Sequence, residues 1–258
     1  MEAGRQMVKG DAIMASDLLT ENLSEPLNGA ATAKVDIHTG TGNLTIDRLT
    51  SGERLLASGT LQYFEKQGAP QRSVDTSNDR AILTVRGGGA GQPWFRLPWR
   101  ACLGATEWQI HLNPTVSLDI AASSGGGNVK LNLADMAVTH LSADTGGGNI
   151  DVVLPDNAAD LSVAVSTGGG NVAVDLGSGT TGSNTVNAKS GAGNVVVRIP
   201  GGIAARVHAT SGLGKVTMDP WLNKVDKNTY QSPDYDSATN KVEIAISSGA
   251  GNVSVNTK

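Results

Sequence analysis

The chain has 258 residues, 33 of them glycine, and aromatic residues make up only 3% of it. Its formal net charge of -4 at pH 7 and pI near 5.5 exclude the basic field with which a protein gathers nucleic acid. Its single cysteine, Cys102, excludes an internal disulfide framework, and no stretch reaches the roughly 18 consecutive apolar residues of a membrane span.

Residues 1–30 show no repeat. Met7, Ile13, Met14, Leu18 and Leu19 are loosely helical in spacing, which predicts either a short cap over one end of the molecule or a flexible tail. From residue 31 to 258 a repeat domain is expected. Its first sign is Thr39-Gly-Thr-Gly-Asn43-Leu-Thr-Ile46. Residues 47–106 contain strand-like runs such as Arg80 to Val85, with a weaker period. The segment 87–106 is expected to be a loop, and it carries Trp94, Phe95, Arg96, Trp99 and Arg100. Trp108, Ile110 and Leu112 then align, one step of 21 residues on, with Val129, Leu131 and Leu133.

The pattern becomes regular at Ser124-Gly-Gly-Gly-Asn128-Val-Lys-Leu131. It recurs around Asn149, Asn171 and Asn194, and in degenerate form at Ser211-Gly-Leu-Gly-Lys215-Val-Thr-Met218. The steps are 21, 22, 23 and 21 residues. A further 37 residues lead to Asn252, so residues 219–240, with Trp221, Tyr230 and Tyr235, read as an insertion. Apolar residues occupy alternate positions on both sides of each glycine cluster, as in Ile120 and Ala122 before it and Val129 and Leu131 after it. A period of two puts one face in and one face out. Each repeat is therefore expected to be two short strands joined by a glycine-rich turn, and one repeat can bury its apolar face only against its neighbours.

The fold class predicted is all-β, a single elongated parallel β-solenoid with about 22 residues per rung and room for roughly eleven rungs. The glycines are expected to supply positive φ at each corner. The asparagines are expected to form a hydrogen-bonded ladder, broken locally at Lys215. A final rung near Val253–Val255 would leave an open edge suited to self-association.

No catalytic constellation, metal site or cofactor site is expected. A dinucleotide fingerprint needs a helix after its glycines, and here a strand follows each time. Calcium-binding β-roll turns carry Asp in a nine-residue period, whereas this chain has Asn at 21 to 23. His38, His111, His140 and His208 lack metal-ligand spacing; His38 and His208 read as solvated outward residues, and Cys102 as a small buried one. Asp151 and Asp175 could share an outer face as paired carboxylates of the kind glycosidases use, but scattered surface charge explains them more simply. Two aromatic groups are the candidate partner-binding sites. One is Trp94, Phe95 and Trp99 with Arg96 and Arg100; the other is Trp221, Tyr230 and Tyr235. Such rings stack on sugars or bury against a partner, or else fold back over the stack as lids.

The Ser/Thr-Gly-x-Gly-Asn-hydrophobic-x-hydrophobic repeat resembles the bacterial "putative adhesin" β-solenoid domains. The stretch from Pro26 through Asn43-Leu44 looks like the opening of the related toast-rack domain, and Trp108 to Pro114 followed by Leu118-Asp-Ile120 looks like its middle. The resemblance spans roughly residues 26–255. It implies a domain of a bacterial cell-envelope or extracellular protein, some relatives being linked to responses to cell-wall-active antibiotics. The expected role is a non-enzymatic interaction or scaffold domain for a protein or cell-wall glycan partner. The alternatives are a carbohydrate-active β-helix enzyme and a purely structural spacer.

Overall fold

The structure is a computed structural model and describes residues 18–50, 54–88 and 106–258. The described residues form two long sheets facing each other across one apolar core. In chain order the strands are β1 (Leu18–Pro26), β2 (Thr32–His38), β3 (Asn43–Arg48), β4 (Leu55–Phe64), β5 (Gln71–Ser77), β6 (Arg80–Arg86) and β7 (Glu107–Leu112). A second group follows: β8 (Ser117–Ser124), β9 (Val129–Asn132), β10 (Val138–Thr145), β11 (Ile150–Val153), β12 (Ser162–Thr167), β13 (Val172–Asp175), β14 (Ser183–Ser190) and β15 (Val195–Ile199). The last are β16 (Ala204–Ser211), β17 (Val216–Met218), β18 (Asn223–Lys224), β19 (Thr229–Gln231), β20 (Lys241–Ser248) and β21 (Val253–Thr257).

Alternation places the core. In β9, Val129 and Leu131 are buried and Lys130 and Asn132 exposed. In β8 every second residue from Leu118 to Ser124 is buried. Each fully buried Val, Leu or Ile contributes about 1.5–3 kcal/mol, and the core runs without interruption along the stack.

The tiers of the stack do not follow chain order. One sheet runs β1-β4-β7-β3-β9-β11-β13-β15-β21-β17, and the other runs β18-β19-β16-β20-β14-β12-β10-β8-β2-β6-β5. The first tier in sequence (β2 and β3) is inserted between β6/β7 and β8/β9. The last (β20 and β21) is inserted between β14/β15 and β16/β17. Trp108 therefore lies beside Leu44 rather than beside Val129 as its 21-residue step suggests, and Leu44 in turn lies beside Val129. Val253 and Val255 are not at an open edge: they have Val195 and Val197 on one side and Val216 and Met218 on the other.

Among the described residues the parallel stack has eight such tiers, fewer than eleven, because the remaining strands close its ends in the antiparallel sense. At one end β4 pairs with β7, β1 with β4 and β5 with β6. There Arg72 of β5 reaches Glu21 and Glu25 of β1 at 3.4 and 3.7 Å and donates to the Asn22 carbonyl, tying the two sheets together. Leu18 and Leu19 are thus strand residues, not part of a helix. At the other end β19 and β18 cover β16.

The glycine corners have a cause other than positive φ. None of the glycines in the repeated clusters from Gly125 onward has it. A Cβ on Gly148 would collide with the Gly127 carbonyl of the tier below, and one on Gly170 with that of Gly148. Close stacking of backbones, not dihedral freedom, excludes side chains there. Nothing lies within 4 Å of a Cβ built on the middle glycines Gly126 and Gly147, and other copies place Thr41, Ala192, Leu213 and Ala250 at that position.

Two hydrogen-bonded columns join the corners. The residue before each cluster is hydroxylic: Ser190 Oγ donates to the Gly170 carbonyl below at 2.7 Å and accepts the Gly193 N–H of its own turn at 2.8 Å. Ser124, Thr145, Thr167, Ser248 and Ser211 donate likewise. In the asparagine column each Oδ1 accepts the backbone N–H of the next tier. It runs from Asn43 to Asn128, Asn149, Asn171, Asn194 and Asn252 at 2.8–2.9 Å. It ends where Lys215 donates its N–H to Asn252. Lys215 terminates the ladder rather than interrupting it.

Candidate functional site, a groove and strip on the eleven-stranded sheet

Because β2 lies between β6 and β8, three distant parts of the chain meet on the outer face of the eleven-stranded sheet. His38 is in register with Arg86 on one side and Ser123 on the other, and Asp36 with Thr84 and Ala121. Alternation turns all of these outward, since Val35, Ile37, Leu83, Val85, Ile120 and Ala122 are buried. His38 Nδ1 is hydrogen-bonded to Ser123 Oγ. Arg86 Nη2 donates to Asp36 Oδ2 at 3.4 Å, with the guanidinium side chain 58% exposed. With Gly40, Gly87 and Gly88 these side chains line a groove of about 450 Å³. His38 is thus outward and exposed, as expected, and in addition bonded to Ser123.

From this groove a strip of short side chains continues along the sheet. Ala121, Ser142, Ala164, Asn187 and Ala245 stand in register on successive strands, with His208 after them. Neighbouring strands lie about 4.8 Å apart, so the strip is a regularly spaced row with a polar, mixed-charge groove at one end. Chemically the groove offers a planar cationic fork, an imidazole, a hydroxyl and a carboxylate. That set recognises hydroxyl and anionic groups. A hydroxyl beside an imidazole is also half of a nucleophile–base pair. However, among the described residues no carboxylate bonds the other ring nitrogen of His38, and Asp36 is engaged by Arg86.

Asp151 and Asp175 are not opposite each other, in keeping with scattered surface charge rather than a carboxylate pair. Asp151 is in register with Lys130 and Ala173, and Asp175 with Val153 and Arg198. Arg198 Nη1 donates to Asp175 Oδ1 at 2.7 Å. On the same sheet His111 Nδ1 bonds Asp47 Oδ1 across β3 and β7.

The two predicted aromatic groups fare differently. Trp94, Phe95, Arg96, Trp99, Arg100 and also Cys102 lie outside the described residues; Gly88, the last residue described before them, lines the groove. Trp221, Tyr230 and Tyr235 lie at the far end of the stack. Trp221 and Tyr230 are partly buried against the core. Tyr235 is 6% exposed, with the Arg206 guanidinium 4.3 Å from its ring centroid and Lys241 at 5.3 Å. Burial first, and then the Glu243 charge, push the Tyr235 hydroxyl above its ordinary pKa. Asp219, beside Trp221, accepts the backbone N–H and the hydroxyl of Thr257. These bonds hold its carboxyl below the ordinary value, with the backbone bond the larger cause.

Such an architecture, two parallel-strand sheets stacked tier on tier around one core and closed by antiparallel strands, defines a β-solenoid-like fold. The chain belongs to the family of the N-terminal domain of toast_rack, DUF2154, which matches residues 14–175. Residues 160–255 match a second family, "Cell wall-active antibiotics response LiaF, C-terminal". A solved structure of a "putative cell adhesion protein" from Clostridium sporogenes is 22% identical, with a TM-score of 0.67 over 93% of this chain and all of that one; the two share the fold. A "putative adhesin" from Bacteroides fragilis is 12% identical, with a TM-score of 0.35 over 93% of this chain and 98% of the other. No curated protein matches this chain.

Proposed function

We propose that the chain is a non-catalytic interaction and scaffold domain of a bacterial cell-envelope protein. The observation that carries this reading is the groove of Asp36, His38, Arg86 and Ser123 beside the in-register strip from Ala121 to Ala245. An extended polymer can lie along a track whose side chains repeat at each strand, while Arg86 and His38 engage its anionic or hydroxyl groups. A cell-wall glycan has that form and chemistry. The match to a cell-wall-active antibiotics response family and the name of the Clostridium sporogenes structure support an envelope setting. The solenoid, with steps of 21 to 23 residues between asparagines, is the rigid support of the track.

Co-sedimentation of the purified chain with isolated bacterial cell-wall polymers tests this, with the supernatant assayed for released sugar. Binding that is lost in Arg86→Ala, with no sugar released, is the expected result. Released sugar would favour a carbohydrate-active enzyme, and no binding would leave a spacer or a protein partner. Binding retained in Arg86→Ala but lost in the Trp94→Ala/Trp99→Ala double variant would move the site to the aromatic segment.

A further inference from the structure

The stack is closed unequally at the end where its last tier lies. On the eleven-stranded sheet, β16 is covered by β19 and β18. On the ten-stranded sheet, β17 is the last strand, and among the described residues it pairs only with β21. Its two apolar residues, Val216 and Met218, are half-buried, whereas the equivalent Val253 and Val255 one tier inside are fully buried. The Lys215 carbonyl and the Asp219 N–H are taken by Val253 and Val255 of β21. Alternation along a parallel ladder then leaves the N–H and C=O groups of Val216 and Met218 directed to the open side. Leu213, in the turn before β17, is 86% exposed. The opposite edge of this sheet, β1, carries Glu21, Glu25 and Pro26, which are edge-blocking residues; β17 itself has none.

We infer that the chain forms a two-fold dimer in which β17 pairs antiparallel with β17 of a second copy, centred on Thr217. The occupant is a second copy because the segment is complementary to itself. A two-fold at Thr217 sets Val216 opposite Met218, so that each pair exchanges its two free backbone hydrogen bonds and the four half-buried side chains cover one another. It also sets Lys215 opposite Asp219 twice, on the outer face. Among the described residues the Lys215 side chain makes no ion pair. Three residues per copy is a short edge, so the association is concentration-dependent and weakened by salt.

Sedimentation velocity from micromolar to sub-millimolar concentration tests the dimer. The expected result is a shift from one chain of 26.4 kDa to twice that mass. Lys215→Glu replaces two attractions with two repulsions and should weaken association on the order of tenfold. Lys189→Glu, an equal charge change on the other sheet, should leave it unaltered. Thermal unfolding of both variants verifies that they are folded. A chain that stays monomeric throughout, or a dimer equally stable in Lys215→Glu, overturns the inference.

Discussion

Asn252 Oδ1 accepts the backbone N–H of Lys215 at 2.9 Å, although Lys215 precedes it by 37 residues. The relationship explains how the tier order is chosen. Stacking in chain order would put the Lys215 tier on Asn194, with the usual step of 21 residues, and the Asn252 tier outside it. The Asn252 N–H would then face a lysine, which has no acceptor. With the last tier inserted, Asn194 serves Asn252 and Asn252 serves Lys215. A lysine is harmless only at the end of the column, and that is where it sits.

Replacing Asn252 with Ala removes the acceptor for Lys215. A hydrogen bond of this kind contributes about 0.5–1.5 kcal/mol, and urea unfolding should show a loss in that range. Asn252→Asp keeps an acceptor and should lose less.

The glycines of one turn should differ. Gly148→Ala forces a Cβ against the Gly127 carbonyl, and overpacking costs about 1–3 kcal/mol. Gly147→Ala meets open space at an ordinary φ. By restricting the unfolded chain it should be neutral or stabilise by up to about 1 kcal/mol. Denaturant midpoints of the two variants settle the contrast.

The tryptophans should differ too. The Trp221 indole N–H is buried with no partner among the described residues, so Trp221→Phe should cost little or raise the melting temperature. Trp108 is 1% exposed and donates to the Gln62 carbonyl at 2.9 Å. Trp108→Phe leaves that carbonyl unpaired and a void beside it, and should cost about 1–3 kcal/mol.

Stability should fall at both extremes of pH for identifiable reasons. Asp219 has a folded pKa below 3.8, so its contribution is present above that value and is lost as pH falls through the depressed one. Asp219→Asn should flatten the acid limb. Tyr235 has a folded pKa above 10.0, because burial and then Glu243 disfavour the phenolate. Its contribution is present below 10.0 and is lost as pH rises through the raised value, and Tyr235→Phe should flatten the alkaline limb. Urea midpoints measured across pH test both.

The all-β class, the inward residues and the role of asparagine were legible in the sequence because each depends on local spacing. Tier order was not: the 21-residue step from Asn194 to Lys215 looks like its neighbours, and only the lysine itself signals an end. The hydroxyl before each glycine cluster stands in every copy, but its bond from Ser124 onward to the tier below is not legible in the sequence, because the acceptor is a backbone carbonyl. The groove was illegible for the same reason as the order, since Asp36 and His38, Arg86 and Ser123 come from three segments that meet only when β2 is inserted.

That insertion builds the candidate site, and disulfide mapping in a Cys102→Ser background tests it most directly. Ile82, Lys34 and Asp119 are outward residues in register on β6, β2 and β8, and parallel neighbours fall within the Cα separation a disulfide spans. Cysteines at 34 and 119 should cross-link on oxidation, and so should those at 82 and 34. The pair at 82 and 119, kept apart by β2, should not. Cross-linking of 82 with 119, and none of 34 with either, would contradict the insertion and dissolve the groove with it.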